Sequence, residues 1–95
     1  MLISPDEINK SLASHSWDYT EKKISKSFTF VAYMDGIEFV QKIAVLAEAQ
    51  NHHPDITIGW CKVHISITSH DLGGVSTKCV NLALGIDSIF EKGSE

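Results

Sequence analysis

Four of the five histidines of this chain fall between positions 52 and 70, and they are its most reactive groups at neutral pH. An imidazole with an unperturbed pKa of about 6.5 can give or take a proton near pH 7 without a metal. His52-His53-Pro54 follows a stretch of helical periodicity, which puts both rings in a loop at a helix exit, where rigid elements hold reactive groups out to solvent. Glu48 lies four residues before His52. A carboxylate in the last helical turn faces the negative end of the macrodipole, at a cost of a few tenths to about 1 kcal/mol, so local stability does not account for it. A helical contact between Glu48 and His52 is the plain structural outcome, and it too would favour the protonated ring. Against a site stands the readiness of any surface loop to accept histidine.

Strand geometry separates the other two. His64 and His70 share one parity but lie about 20 Å apart if the strand runs on at roughly 3.3 Å per residue, so they do not share one small pocket. His64 falls mid-strand on a polar face and reads as a solvated or interface histidine. His70 falls where the strand gives way to the turn Asp71-Leu72-Gly73-Gly74, which makes it the candidate. A zinc hydrolase would need His52, His53, His70 and Cys61 to converge, and the chain has neither an H-E-x-x-H helix nor a thiolate pair.

The elements that must position these residues are legible from periodicity. Ser4-Pro5-Asp6-Glu7 is a capping box that opens a helix burying Ile8 and Leu12. Trp17 to Thr20 and the run after Lys22-Lys23 to Val31 read as a hairpin, with Phe28 and Phe30 alternating with Ser27 and Thr29. Lys26 breaks the inward alternation, which predicts a sheet edge there. Asp35-Gly36-Ile37-Glu38 is a second capping box, opening a helix over 35–50 with the stripe Ile37, Val40, Ala44 and Ala47, flanked by Phe39, Ile43 and Leu46. Val45 falls on the polar side. Ile56, Ile58 and Trp60 alternate in a third strand; Val63, Ile65 and Ile67 alternate against His64, Ser66 and Thr68 in the clearest one. Ser76 is the N-cap of a last helix carrying Val80, Ala83, Leu84 and Ile86 to Phe90, and the tail from Lys92 reads as frayed. The order α-β-β-α-β-β-α predicts a two-layer α+β fold, an antiparallel four-stranded sheet with helices on one face and Ser27, Thr29, His64, Ser66 and Thr68 on the other.

Composition bounds the function. Ninety-five residues, 43% hydrophobic and 21% charged, make a single folded domain spanning 1–95. A net charge of −4 has the wrong sign for direct nucleic-acid binding. No basic leader with an apolar core and no membrane-length apolar run is present, so a cytoplasmic protein is expected. Cys61 and Cys79 lack C-x-x-C spacing and read as free thiols.

Glu48-x-x-x-His52-His53-Pro54, an aromatic at Trp60, and Ser69-His70-Asp71 followed by Gly73-Gly74 resemble the pterin-4a-carbinolamine dehydratases, over Phe28 through Ile89. The resemblance implies a two-layer fold and dehydration of a 4a-hydroxy-tetrahydropterin to the quinonoid dihydropterin, in tetrahydrobiopterin recycling. It implies His52, His53 and His70 as catalytic groups, Glu48 orienting or charge-stabilising His52, and Pro54, Trp60, Ser69 and Asp71 in support. It further implies no cofactor and no metal, a pterin as substrate, a homodimer or homotetramer, and an aromatic amino acid hydroxylase as pathway partner. One departure stands out: the family usually has an acidic residue three positions after the capping Ser or Thr, where this chain has Cys79. The alternative function is a non-catalytic assembly factor or transcriptional coactivator on the same fold, favoured by Cys79, Val45 and the open polar sheet face.

Overall fold

A computed structural model describes residues 2–12, 15–20 and 22–93. Its elements are α1 (Pro5–Leu12), β1 (Asp18–Thr20), β2 (Lys23–Thr29), α2 (Tyr33–Gln50), β3 (Asp55–Ile58), β4 (Lys62–Ile67) and α3 (Thr77–Gly93). The strands form one antiparallel sheet in the order β1-β2-β4-β3, with Phe28 opposite Val63 and Ile56 opposite Ile65. This is the expected α+β architecture. Period-two alternation turns Ile24, Phe28, Val63, Ile65 and Ile67 to one face, where each is buried against the helices. From the helices come Ile8 and Leu12 of α1, Phe39, Ile43 and Ala47 of α2, and Val80, Leu82, Ala83 and Ile86 of α3. The opposite face presents Ser27, Thr29 and His64 to solvent, with a 2.8 Å hydrogen bond between Ser27 Oγ and His64 Nδ1.

The long helices approach closely because α3 carries Gly85: a Cβ there would stand 2.8 Å from Leu46 Cδ2. Towards the C-terminal end of α3, Phe28, Phe30, Phe39 and Phe90 gather with ring centroids 4.9 Å apart for Phe28–Phe39 and 5.7 Å for Phe39–Phe90. Such tilted pairs add to their area burial.

Several local readings shift. The Ser4 cap forms, with the Glu7 amide donating to Ser4 Oγ at 3.2 Å. The second capping box does not. Helix α2 starts at Tyr33 after an extended Ala32 that makes no side-chain cap, leaving Asp35 inside the first turn, where its charge complements the macrodipole instead. The buried stripe of α2 is Gly36, Phe39, Ile43 and Ala47, while Ala44 is exposed, because the sheet and α3 approach from the side of Phe39. Val45 is 72% exposed.

Lys26 does not guard an edge. Strand β2 lies between β1 and β4, and although β1 covers it only as far as Ser25, the Lys26 side chain turns inward. Its Nζ donates to Asp87 Oδ1 of α3 at 2.8 Å and to the His15 carbonyl at 2.6 Å, while Trp17 Nε1 donates to Asp87 Oδ2 at 2.9 Å. A charge on the inner face is tolerated because every buried polar group it meets is paired. Strand β3 ends at Ile58 rather than Trp60. The Gly59 amide bonds the Lys62 carbonyl at 2.7 Å and turns the chain, and Trp60 stands 80% exposed.

Candidate functional site

Helix α2 ends on Asn51, which adopts the left-handed conformation at φ 50°. The Asn51 amide bonds the Glu48 carbonyl and the His52 amide bonds the Ala47 carbonyl, at 3.2 and 3.1 Å, the paired bonds of a Schellman C-cap. This turn swings His52 off the helix, so the expected Glu48–His52 contact does not form. Glu48 Oε2 instead meets His53 Nε2, in an exposed hydrogen bond. Pro54 follows, and the two neighbouring rings diverge: His53 towards α2, His52 towards the start of α3, where its Nε2 lies 3.3 Å from Cys79 Sγ.

The third contribution comes from the end of β4. The Ser69 carbonyl accepts the amides of Leu72, Gly73 and Gly74, and the Ser69 amide donates to the Gly74 carbonyl at 2.8 Å. Gly73, at φ 72°, supplies the left-handed residue that closes the turn. His70 and Asp71 are exposed on this turn, while Ser69 is 3% exposed beneath it. Ser69 Oγ lies 2.6 Å from Ser76 Oγ and 3.4 Å from Cys79 Sγ, and Ser76 Oγ lies 3.5 Å from the same sulfur. Both cysteines are free, and Cys79 is fully buried.

His52 is thus set against a buried polar triangle while its rim stays open. Burial of the ring pushes its pKa below the ordinary 6.5; the charges of Lys78, His53 and His70 push the same way, and Asp71 opposes them. The contacts of Cys79 Sγ with His52 and with Ser69 bring the helix exit, the 69–74 turn and the first turn of α3 together. Two residues named from the sequence stand apart. His64 is mid-β4 on the uncovered sheet face. Trp60 lies past the far end of β3, which carries the chain about 13 Å away from Pro54. From the sequence, the residue at position 79 either completes a cap with Ser76 or orients a site histidine; the structure puts Cys79 beside His52, 27 positions earlier, with Ser76 behind the sulfur, a partnership that no spacing signal names. A cavity of about 340 Å³ lined by Phe30, Asp35, Glu38, Phe39, Lys42 and Phe90 includes none of the histidines.

The described helices include none long and apolar enough to cross a membrane. A solved Brucella melitensis structure described as a transcriptional coactivator/pterin dehydratase superposes with a TM-score of 0.88 at 23% identity, covering 94% of this chain and 98% of that one, which shows the shared fold. A second, described as a pterin dehydratase-like protein that is a RuBisCO assembly factor in the alpha-carboxysome, has a TM-score of 0.69 at 27% identity, over 79% of this chain and 89% of that one. Proteins from Natronomonas pharaonis and Roseiflexus sp. (strain RS-1), provisionally named pterin-4-alpha-carbinolamine dehydratases, are 37% and 42% identical to it over 94% and 93% of this chain and 96% of each of theirs. The family model for pterin 4 alpha carbinolamine dehydratase matches residues 1–89, and with the fold and these relatives it establishes that the chain belongs to that family.

Proposed function

We propose that the chain dehydrates a 4a-hydroxy-tetrahydropterin to the quinonoid dihydropterin, with His52, His53 and His70 as its acid–base groups and no metal or cofactor. The observation that carries this reading is the convergence of three histidines in unlike surroundings. His52 is half-buried with a lowered pKa, His53 is paired to Glu48, and His70 is exposed on a Gly-closed turn. Hydroxide is a poor leaving group. An acid must protonate the 4a-oxygen as its bond to carbon breaks, and a base must take the proton of the ring nitrogen whose lone pair expels it, so that the net loss is one water.

A histidine with a lowered pKa is neutral near pH 7 and suits the base, which assigns that role to His52. The proton for the leaving oxygen then comes from His53 or His70. Glu48 holds the His53 ring, Pro54 keeps His53 extended so that the two rings diverge, and Ser69 and Asp71 belong to the turn that carries His70. Trp60 is too far along β3 to share this pocket within one chain. A homodimer or homotetramer is part of the reading, supported by Val45 and by the β3 edge, where Ile58 is 46% exposed. A cytoplasmic place beside an aromatic amino acid hydroxylase follows from the substrate chemistry.

The test is a dehydration assay on a synthetic 4a-hydroxy-tetrahydropterin, run against the spontaneous reaction. Acceleration that survives a chelator supports the mechanism; a rate equal to the uncatalysed one overturns it. The second reading, an assembly factor or transcriptional coactivator, has its support in the roles described for the two structural neighbours and in the open sheet face around Ser27 and His64. It would be favoured by a well-folded protein with no acceleration.

A further inference from the structure

Ser69, Ser76 and Cys79 form a closed triangle of hydrogen-bonding groups with sides of 2.6, 3.4 and 3.5 Å, all at most 3% exposed. Each member has one proton to give and a lone pair to accept. The arrangement that uses all three is a ring, each group donating to the next, and it runs equally well in either sense. A chain that ends with the thiol donating to His52 Nε2 also gives every proton an acceptor, but it leaves one side of the triangle without a hydrogen and makes three bonds where the ring, with His52 donating to the sulfur, makes four. In either ring the thiol proton is engaged by a serine oxygen. What the sulfur offers His52, 3.3 Å away, is a lone pair. The His52 nitrogen facing it, Nε2, must then carry the hydrogen.

The consequence falls on the other ring nitrogen. Among the described residues Nδ1 of His52 has no hydrogen-bond partner, and no buried side-chain nitrogen or oxygen lacks one, so Nδ1 faces solvent. We propose that Cys79, held by Ser69 and Ser76, is the positioning residue that fixes the tautomer of His52, leaving the Nδ1 lone pair as the basic atom of the site. This deepens the dehydratase reading and rests on it for the identity of the proton taken. When Nδ1 accepts a proton, the Nε2–H to sulfur bond persists, so the network need not rearrange during turnover. A neutral sulfur also stabilises the imidazolium less than a carboxylate would, in keeping with a base that must stay unprotonated at neutral pH. The charged and titratable groups acting on the ring are Lys78 at the start of α3, Asp71 and His70 on the turn, and the adjacent His53.

The experiment measures the ring ¹⁵N shifts of His52 in the full chain, labelled at histidine and assigned with His52→Gln, above the pH at which the ring is protonated. The wild type should show a protonated Nε2 and an unprotonated Nδ1. Cys79→Ala should mix the two tautomers and lower kcat about tenfold with KM within about twofold, a fraction of the roughly 10²- to 10⁴-fold that an acid–base group contributes. Cys79→Ser, which retains the ring of donors, should keep the tautomer and recover most of the rate. Cys79→Asp should keep the tautomer and move the protonation of His52, and the acid limb of the rate profile, to higher pH. A wild-type ring protonated on Nδ1, tautomers unchanged in Cys79→Ala, or an acid limb unmoved in Cys79→Asp while His52 itself titrates higher overturns the proposal. A wild type that does not accelerate dehydration removes the dehydratase reading instead, and the ¹⁵N shifts still decide whether the sulfur sets the ring.

Discussion

The two ends of the α2–α3 pair are built from opposite materials. At one end Phe28, Phe30, Phe39 and Phe90 pack edge to face beside a cavity of about 340 Å³. At the other, some 20 Å along α2 at 1.5 Å per residue, His52, Ser69, Ser76 and Cys79 form a hydrogen-bonded cluster under an open rim. The aromatic end has this hollow and none of the histidines. The histidine end carries His52, His53 and the turn of His70, the residues proposed to do acid–base work. Volume alone therefore points away from the histidines: the proposed proton transfer needs titratable groups, whereas ring packing needs only shape and area.

The sharpest way to break this contrast is to exchange rate for stability. His70→Ala should lower kcat/KM by about 10²-fold or more while thermal unfolding stays within a degree or two, since the residue is exposed on a turn. Phe39→Ala should do the reverse, losing about 3–5 kcal/mol in urea unfolding because the ring is 4% exposed among three other phenylalanines. If His70→Ala unfolds the protein, or His64→Ala costs as much rate as His70→Ala, the division between the ends is wrong.

Asp87→Asn tests the polar group that sits among core residues away from both ends. It leaves Lys26, whose side chain is 20% exposed, without its anion, and should destabilise by about 3 kcal/mol with little effect on rate; a loss under 1 kcal/mol would mean that Lys26 reaches water freely.

A smaller effect follows from the direction of the His52 shift. Its folded pKa lies below the unfolded value, so the unfolded chain binds the proton more readily. Stability contributed by the neutral ring is complete above about pH 6.5 and is lost as pH falls through the lower, folded pKa. Urea titrations of wild type and His52→Gln between pH 7.5 and 5 should show a shallower acid decline in the variant. Parallel curves would mean the ring is not desolvated. The smallest change is expected for Glu48→Gln, where both partners are more than half exposed: stability within about 0.5 kcal/mol, with any loss of rate reporting the hold on His53.

How much of this was legible beforehand differs by element. Strand β4 was plain, because Val63, Ile65 and Ile67 alternate against polar residues and both faces obey the rule. Helix α2 was found but mis-started, since Asp35 and Glu38 make a capping pattern that the backbone does not use. Lys26 broke a local rule, and its explanation lay 61 residues away in Asp87.

What the sequence alone determined was the order of elements, the α+β class and the resemblance that singled out His52, His53 and His70. These rest on periodicity and on short motifs, which are local properties of the chain. Only the tertiary structure decided which partners His52 and His53 have. Glu48, four residues from His52, serves His53 because a left-handed Asn51 turns the chain between them, and Cys79 reaches His52 because the exit of α2, the end of β4 and the start of α3 are packed together. Side-chain partnership depends on where elements pack, and spacing along the chain carries no record of that.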